Sequence, residues 1–74
     1  MLRYKILLRP EPEGGYTVTV PSLPGCITFG DTMNEAIQMA REAIELYIES
    51  LVVRNEEIPN EDGIFEYTLT LDNF

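Results

Sequence analysis

Apolar and polar residues alternate in two short stretches near the start of the chain. Between Leu2 and Arg9 every second residue is apolar, and three of the residues between them are basic. A period of two is the spacing of a half-buried strand, because successive side chains point to opposite faces of a sheet. Tyr16 to Val20 repeats this alternation with threonines. The prolines and the Gly-Gly pair within Pro10 to Gly15 predict a hairpin turn between the two strands.

A second turn and a third strand follow. Pro21 to Gly25 contains two prolines and a glycine, which exclude a central strand and predict a sharp change of direction. Cys26 to Phe29 is predicted as a short strand that ends at Gly30-Asp31. Thr32 and Glu35 then predict a capping box, in which the Thr32 hydroxyl accepts from the Glu35 amide and the Glu35 carboxylate accepts from the Thr32 amide.

The longest periodic segment predicts a helix from Met33 to about Arg54. Its apolar residues recur every three or four positions, which places them on one face that covers the sheet. They are Met33, Ala36, Ile37, Ala40, Ala43, Ile44, Tyr47, Ile48 and Leu51. Asn55 to Gly63 is predicted as a polar loop. Ile64 to Leu71 alternates again, which predicts a fourth strand with Phe65, Tyr67, Leu69 and Leu71 inward and Glu66, Thr68 and Thr70 outward.

The predicted fold class is therefore α+β, with the order βββαβ and an antiparallel-rich, four-stranded sheet that carries one helix on one face. Residues 1–74 are expected to form a single domain, since the chain has no internal repeat and no segment long enough to link a second domain. The uncovered face of such a sheet is either in contact with water or covered by another chain.

Composition limits the chemistry that this domain can perform. The 74 residues include no histidine and one cysteine, so a Ser-His or Cys-His catalytic pair and an internal disulfide are both impossible. We therefore expect no enzymatic activity, no cofactor and no metal site. A domain of this size buries only about 60% of its unfolded surface, which makes its core thin and favours oligomerisation.

Charge and targeting signals indicate the kind of partner. Thirteen acidic and five basic residues give a formal charge of -8, which repels phosphate backbones and anionic lipids and attracts basic proteins. No apolar segment reaches the roughly 20 residues of a membrane span, and the N-terminus lacks the apolar stretch of a secretory signal. The expected location is the cytoplasm, with neither membrane nor nucleic acid as a partner.

The individual chemical groups have simple structural interpretations. Cys26 is expected to be a small buried residue, with a redox role as the alternative. The carboxylate pairs Glu56-Glu57 and Glu61-Asp62 are expected to be solvated rather than catalytic or metal-binding. Three basic side chains line the outward side of the first strand, at Arg3, Lys5 and Arg9. Pairing with Glu66 on the last strand explains them better than phosphate contact does.

A second apolar stripe lies on the predicted helix, away from the core face. Met39, Leu46 and Val53 repeat at intervals of seven residues. Together with the small residues Ala43 and Ser50 they form a candidate seam for a second subunit, although isolated surface apolar residues are also common.

Several short motifs follow one another along the chain. The segment G-G-Y-T-V-T-V-P-S-L-P-G-C is followed by G-D-T-M-N-E-A at the helix start and by A-I-E-L-Y-I-E late in the helix. In this order they resemble the N-terminal domain of HicB-type antitoxins, over nearly the whole chain. The residues that carry the family motif are Gly14, Gly15, Tyr16, Pro21, Leu23, Pro24, Gly25, Gly30, Thr32, Glu35 and Ala36.

This resemblance implies a partial ribonuclease-H-like fold without nuclease activity. It further implies a toxin–antitoxin system, in which the domain neutralises a small basic HicA-type toxin, an mRNA interferase with a catalytic histidine, by masking its RNA-binding surface. Many relatives carry an additional C-terminal DNA-binding module, and we expect none here because the sequence stops at Phe74. Other relatives have no toxin, so an orphan, self-associating regulatory or structural protein is the alternative.

Overall fold

A computed structural model describes all 74 residues and contains three strands followed by one helix. The elements are β1 (Leu7–Pro10), β2 (Tyr16–Thr19), β3 (Ile27–Gly30) and α1 (Met33–Val53). The strands form an antiparallel sheet in the order β1-β2-β3. The α+β class is therefore confirmed, as is the order of the first four elements.

Strand β1 is shorter than the alternation predicted. It begins at Leu7, which pairs with Thr19, although the predicted strand began at Leu2. The reason lies in the neighbouring strand: a turn closed by the hydrogen bond from the Leu23 amide to the Val20 carbonyl follows β2, and Pro21 has no amide proton to donate to residues 2–6. Tyr4 and Ile6, two of the apolar residues of this alternation, are nevertheless half-buried against the core.

The turn between β2 and β3 inserts one side chain into the core. Leu23 is completely buried, and backbone hydrogen bonds on both sides of it hold the turn closed, from the Leu23 amide to Val20 and from the Cys26 amide to the Leu23 carbonyl. Val20, Leu23 and Cys26 form one buried cluster beneath the second half of the helix. Val18, Ala36 and Ala40 form another beneath its first half. The core is as thin as the chain length predicts.

Both helix ends are capped by side-chain or backbone geometry. The Thr32 hydroxyl accepts from the Glu35 amide at 3.1 Å, as predicted. The second bond of the capping box is different: the Glu35 carboxylate accepts from the Asp31 amide at 3.0 Å, one residue before the expected donor. At the other end, Asn55 adopts a φ of 56°, and the Glu56 amide reaches the Leu51 carbonyl. This is a Schellman-type ending.

The predicted fourth strand is absent, so the sheet has three strands rather than four. Residues 64–74, which we call the C-terminal arm, have no regular secondary structure, and beyond Ile64 the backbone forms no hydrogen bond with the sheet. Phe65 is 95% exposed and Tyr67 84%. The radius of gyration is 14.5 Å, against about 11 Å for a compact chain of this length, because the arm extends away from the domain.

Candidate partner-binding surfaces

The family-motif residues build the scaffold rather than a pocket. Gly14 and Gly15 have positive φ values in the β1–β2 turn, as the hairpin requires. Gly30 lies against the start of the helix so closely that a Cβ atom would overlap the backbone of Ala36. The Pro24 carbonyl accepts from the Tyr47 hydroxyl at 2.8 Å, which fastens the β2–β3 turn to the helix.

The remaining motif residues have related structural roles. Leu23 and Ala36 are completely buried, Tyr16 packs against the first core cluster, and Thr32 and Glu35 cap the helix. Gly25 adopts a φ of 81° at the end of the turn, whereas Pro21 is exposed. The motif therefore marks the places where sheet, turn and helix meet.

Cys26 is a free, buried cysteine at 5% exposure within the second core cluster. Burial raises the pKa of its thiol, because the thiolate would lose hydration there. This environment supports the packing role predicted for Cys26 and opposes a reactive thiolate.

One of the four paired carboxylates has a role that the sequence did not reveal. Glu61 was expected to be solvated, but its side chain is only 9% exposed. It accepts from the Ser22 hydroxyl at 2.7 Å, from the Lys5 amide at 3.0 Å and from the Lys5 ammonium at 3.4 Å. A single carboxylate thus joins the start of the chain, the β2–β3 turn and the loop after the helix.

These contacts lower the pKa of Glu61, chiefly through the hydrogen bond from Ser22 and with help from Lys5. Nearby, the Tyr4 hydroxyl donates to the Pro59 carbonyl. Burial, and then the negative charge of Glu61, raise the pKa of Tyr4. Periodicity could not reveal this cluster, because its members come from three segments that have no common spacing.

The sheet face opposite the helix is open and partly apolar. The pairing register aligns Leu7, Thr19 and Ile27 in one row and Arg9, Thr17 and Phe29 in the next. Leu7, Ile27 and Phe29 are 52%, 63% and 45% exposed. The expected pairing of the basic residues on this side with Glu66 is not formed, because Lys5 pairs with Glu61 and the arm lies elsewhere.

The candidate seam on the helix is split between two environments. Met39, Leu46 and Val53 are 37%, 66% and 84% exposed, and Ser50 is also exposed. Ala43 is instead half-buried and packs against the second core cluster. A contact between subunits at the three apolar residues stays a prediction.

A groove of about 690 Å³ lies between the helix and residues 2–6, the segment that leads into β1. We call it the β1–helix groove. It is lined by Leu2, Tyr4, Ile6, Ile37, Ala40, Arg41, Ile44, Glu45, Ile48 and Glu49. Seven of these ten residues are hydrophobic, so the groove suits apolar side chains better than a polar ligand.

Other kinds of site are not seen. No group of three or more histidine, cysteine, aspartate or glutamate side chains is arranged to hold a metal ion. Helix α1 does not have an apolar stretch that is long enough to cross a membrane. The surfaces open to a partner are therefore the open sheet face, the outer side of the helix, the β1–helix groove and the arm.

Comparison with known proteins identifies the fold and family. Residues 4–73 match the family model described as the HicB-like antitoxin of bacterial toxin–antitoxin systems. The chain belongs to this family. In structure, the HicB-like chain is similar to the N-terminal domain of the Burkholderia pseudomallei antitoxin HicB, with a TM-score of 0.66 and 32% identity over 89% of this chain and 69% of that one.

Two relatives show how length varies around the shared HicB-like domain. A UPF0150 protein of Synechocystis sp. is 52% identical over 61 residues, which is 82% of this chain and 77% of the relative. Antitoxin HicB of Escherichia coli K12 is 38% identical over 78% of this chain but only 42% of its own length. The HicB-like chain thus spans less than half of that antitoxin.

Proposed function

We propose that this HicB-like domain neutralises a small basic HicA-type toxin by binding over the toxin's RNA-binding surface. The observation that supports this most is the family match across residues 4–73, together with relatives named as antitoxins. An antitoxin of a toxin–antitoxin system requires a toxin as partner. Binding, rather than catalysis, is then the activity of this domain, in a protein of the cytoplasm.

Charge supports a basic partner. The formal charge is -8, and the only ion pairs join Lys5 to Glu61 and Arg54 to Glu56. Three carboxylates of the helix, Glu42, Glu45 and Glu49, are exposed and form no ion pair, and the last two line the β1–helix groove. Unpaired surface charge of one sign accelerates encounter with a surface of the opposite sign.

The test looks beside this gene for a reading frame that encodes a small basic HicA-type protein and co-expresses that protein with this chain. We expect the two proteins to co-purify and the toxin to lose its ribonuclease activity in stoichiometric mixtures. Full RNA cleavage in the presence of excess HicB-like protein, without a complex, would reject the proposal.

Charge variants locate the contact more closely. Replacing Glu42, Glu45 and Glu49 by glutamine is expected to slow association with the toxin about tenfold or more at low salt. The matched control replaces Glu13, Glu56 and Glu57, which are also exposed, and makes the same change in net charge. Equal effects of the two triple variants would mean that the helix surface has no special part in binding.

A second candidate function is that of an orphan, self-associating regulator without a toxin. The exposed apolar arm favours it, as does the similarity to short UPF0150 relatives, of which this chain covers 77% and 90%. The absence of a small basic gene beside this one, together with a stable homo-oligomer in solution, would favour this alternative.

Two structural expectations also belong with this proposal. We propose that residues 1–74 act as one domain that needs no DNA-binding module, and that a sheet completed by a fourth strand has the partial ribonuclease-H-like arrangement. A domain that binds its toxin as a 74-residue chain would support the first.

A further inference from the structure

We propose that the C-terminal arm of one molecule lies in the β1–helix groove of a second copy, as a fourth strand on the free edge of β1, and that the exchange is reciprocal. This inference goes beyond the proposed function, since it concerns how the domain completes its own core. Two features support it: the C-terminal arm has no partner in its own molecule, and the β1–helix groove is an open, mostly apolar site.

The arm has the residue pattern of a strand but no partner in its own molecule. Its apolar side chains alternate with Glu66, Thr68 and Thr70, and they are largely exposed, at 79% for Leu69 and 67% for Leu71. The monomer therefore leaves two aromatic rings and two leucines of one strand face in water, an arrangement that marks an association surface.

The groove has the complementary features. Strand β1 pairs only with β2, so the amides and carbonyls of its other edge are free to pair with an added strand. Beside that edge, Tyr4 and Ile6 face Ile37 and Ile44 of the helix across apolar space. A strand added there would direct every second side chain into the groove.

Length and charge also agree. The eight residues from Ile64 to Leu71 span about 26 Å when extended, at about 3.3 Å per residue, and the chain from Leu2 to Arg9 has the same number of residues. That segment contains three of the five basic residues of the chain, and the groove wall adds Arg41 together with Glu45 and Glu49. The arm contains Glu66 and Asp72 and no basic residue.

The geometry at the base of the arm favours binding of the arm to the groove of a second copy rather than to the groove of its own molecule. Glu61 is bonded to Lys5 and Ser22, and the Ile64 amide donates to the Glu61 carbonyl at 3.1 Å. Beyond this turn, where Gly63 has a φ of 81°, no backbone group of the arm forms a hydrogen bond with its own β1, and the apolar side chains of the arm stay exposed. Two arms exchanged about a twofold axis form a closed, self-complementary interface.

The area is that of a stable dimer. An aromatic side chain buries about 150–250 Å². With two aromatic rings and two leucines from each arm, and the groove walls that they cover, the exchange reaches the roughly 1,200–2,000 Å² of a stable interface.

The experiment uses sedimentation of the full-length chain over a range of concentrations. The wild-type protein is expected to be a dimer of the 8.4 kDa chain. Tyr67→Glu with Leu69→Glu should give a monomer with unchanged circular dichroism, because both side chains are largely exposed in the single molecule. Ile37→Glu, on the exposed part of the groove wall, should also give a monomer.

Mixing separates exchange from other interfaces. The arm variant keeps an intact groove and the Ile37→Glu variant keeps an intact arm, so the mixture should form a heterodimer although each protein alone does not. The matched control, Thr68→Glu, lies on the other side of the arm and should remain dimeric. A monomeric wild type, a dimeric arm variant or a mixture that stays monomeric would each overturn the proposal.

Discussion

At the scale of single residues, Glu61 has the most contacts to lose. Its carboxylate is held by Ser22 and Lys5, groups that are distant in sequence, and it leaves almost no surface to solvent. The neighbouring Glu56 is half exposed and forms only a surface ion pair with Arg54. Two glutamates of one loop therefore differ in their importance for folding.

We predict that Glu61→Gln lowers the free energy of unfolding at neutral pH by about 1–3 kcal/mol, since a charged acceptor of several hydrogen bonds is lost. The pKa of Glu61 is below its ordinary value of 4.5 in the folded protein. Its contribution is therefore complete above pH 4.5 and is lost as the pH falls through the lowered pKa. Urea unfolding of both proteins at several pH values measures this.

The control is Glu56→Gln, which should change stability little at any pH. If wild type and Glu61→Gln lose stability in parallel on acidification, then Glu61 is not the group whose titration matters.

Gly30 is a second residue whose neighbours decide the effect of a substitution. We predict that Gly30→Ala destabilises the protein by several kcal/mol, because the added methyl would overlap the backbone of Ala36 and must push sheet and helix apart. Gly25→Ala has open space around the added methyl, and only its positive φ opposes the change, at about 1–2 kcal/mol. Thermal unfolding of the two variants should show that order.

At the scale of elements, helix α1 depends on its first turn. Thr32 satisfies the Glu35 amide, and the helix begins directly afterwards. We predict that Thr32→Ala lowers the free energy of unfolding by about 1 kcal/mol, whereas Thr32→Ser, which keeps an acceptor oxygen, costs much less. Chemical denaturation resolves this difference, and equal losses in both variants would exclude the hydroxyl as the cause.

The helix and the strands also show which parts of the fold could be predicted from the sequence. The helix was predicted to within a residue or two, because its periodicity, the Thr32 cap and the loop after it all indicate the same limits. In the second strand the alternation also placed Val18 and Val20 correctly in the core, whereas the side chains predicted to face inward from the fourth strand are exposed. The strand predicted at Ile64 to Leu71 was not found, because alternation indicates a strand face but does not say which edge, or which molecule, supplies its partner.

The candidate surfaces were less predictable than the elements. The resemblance singled out the motif residues, but only the structure shows that they join sheet, turn and helix. The cluster around Glu61 and the β1–helix groove both combine residues from distant parts of the chain. No local sequence pattern shows that residues far apart in the chain come together, so neither the cluster nor the groove was predicted.

At the scale of the whole molecule, the exposed arm contrasts with a small, closed core. We predict that chymotrypsin cleaves dilute protein first after Phe65 or Tyr67, since these aromatic residues are exposed and their backbone forms no hydrogen bonds. Cleavage should slow as the protein concentration rises, because pairing between copies covers the arm. Mass spectrometry of the fragments identifies the sites, and initial cuts within the helix would contradict this assignment.

The same bare arm has a consequence for handling the protein. A flat row of aromatic and aliphatic groups with free amides is a template for open-ended stacking, which mutual repulsion between molecules of charge -8 opposes at neutral pH. That repulsion vanishes near the isoelectric point of about 4.2 and weakens in concentrated salt. Charge repulsion therefore keeps the protein in solution at neutral pH. Turbidity and precipitation are expected in buffers near pH 4.2.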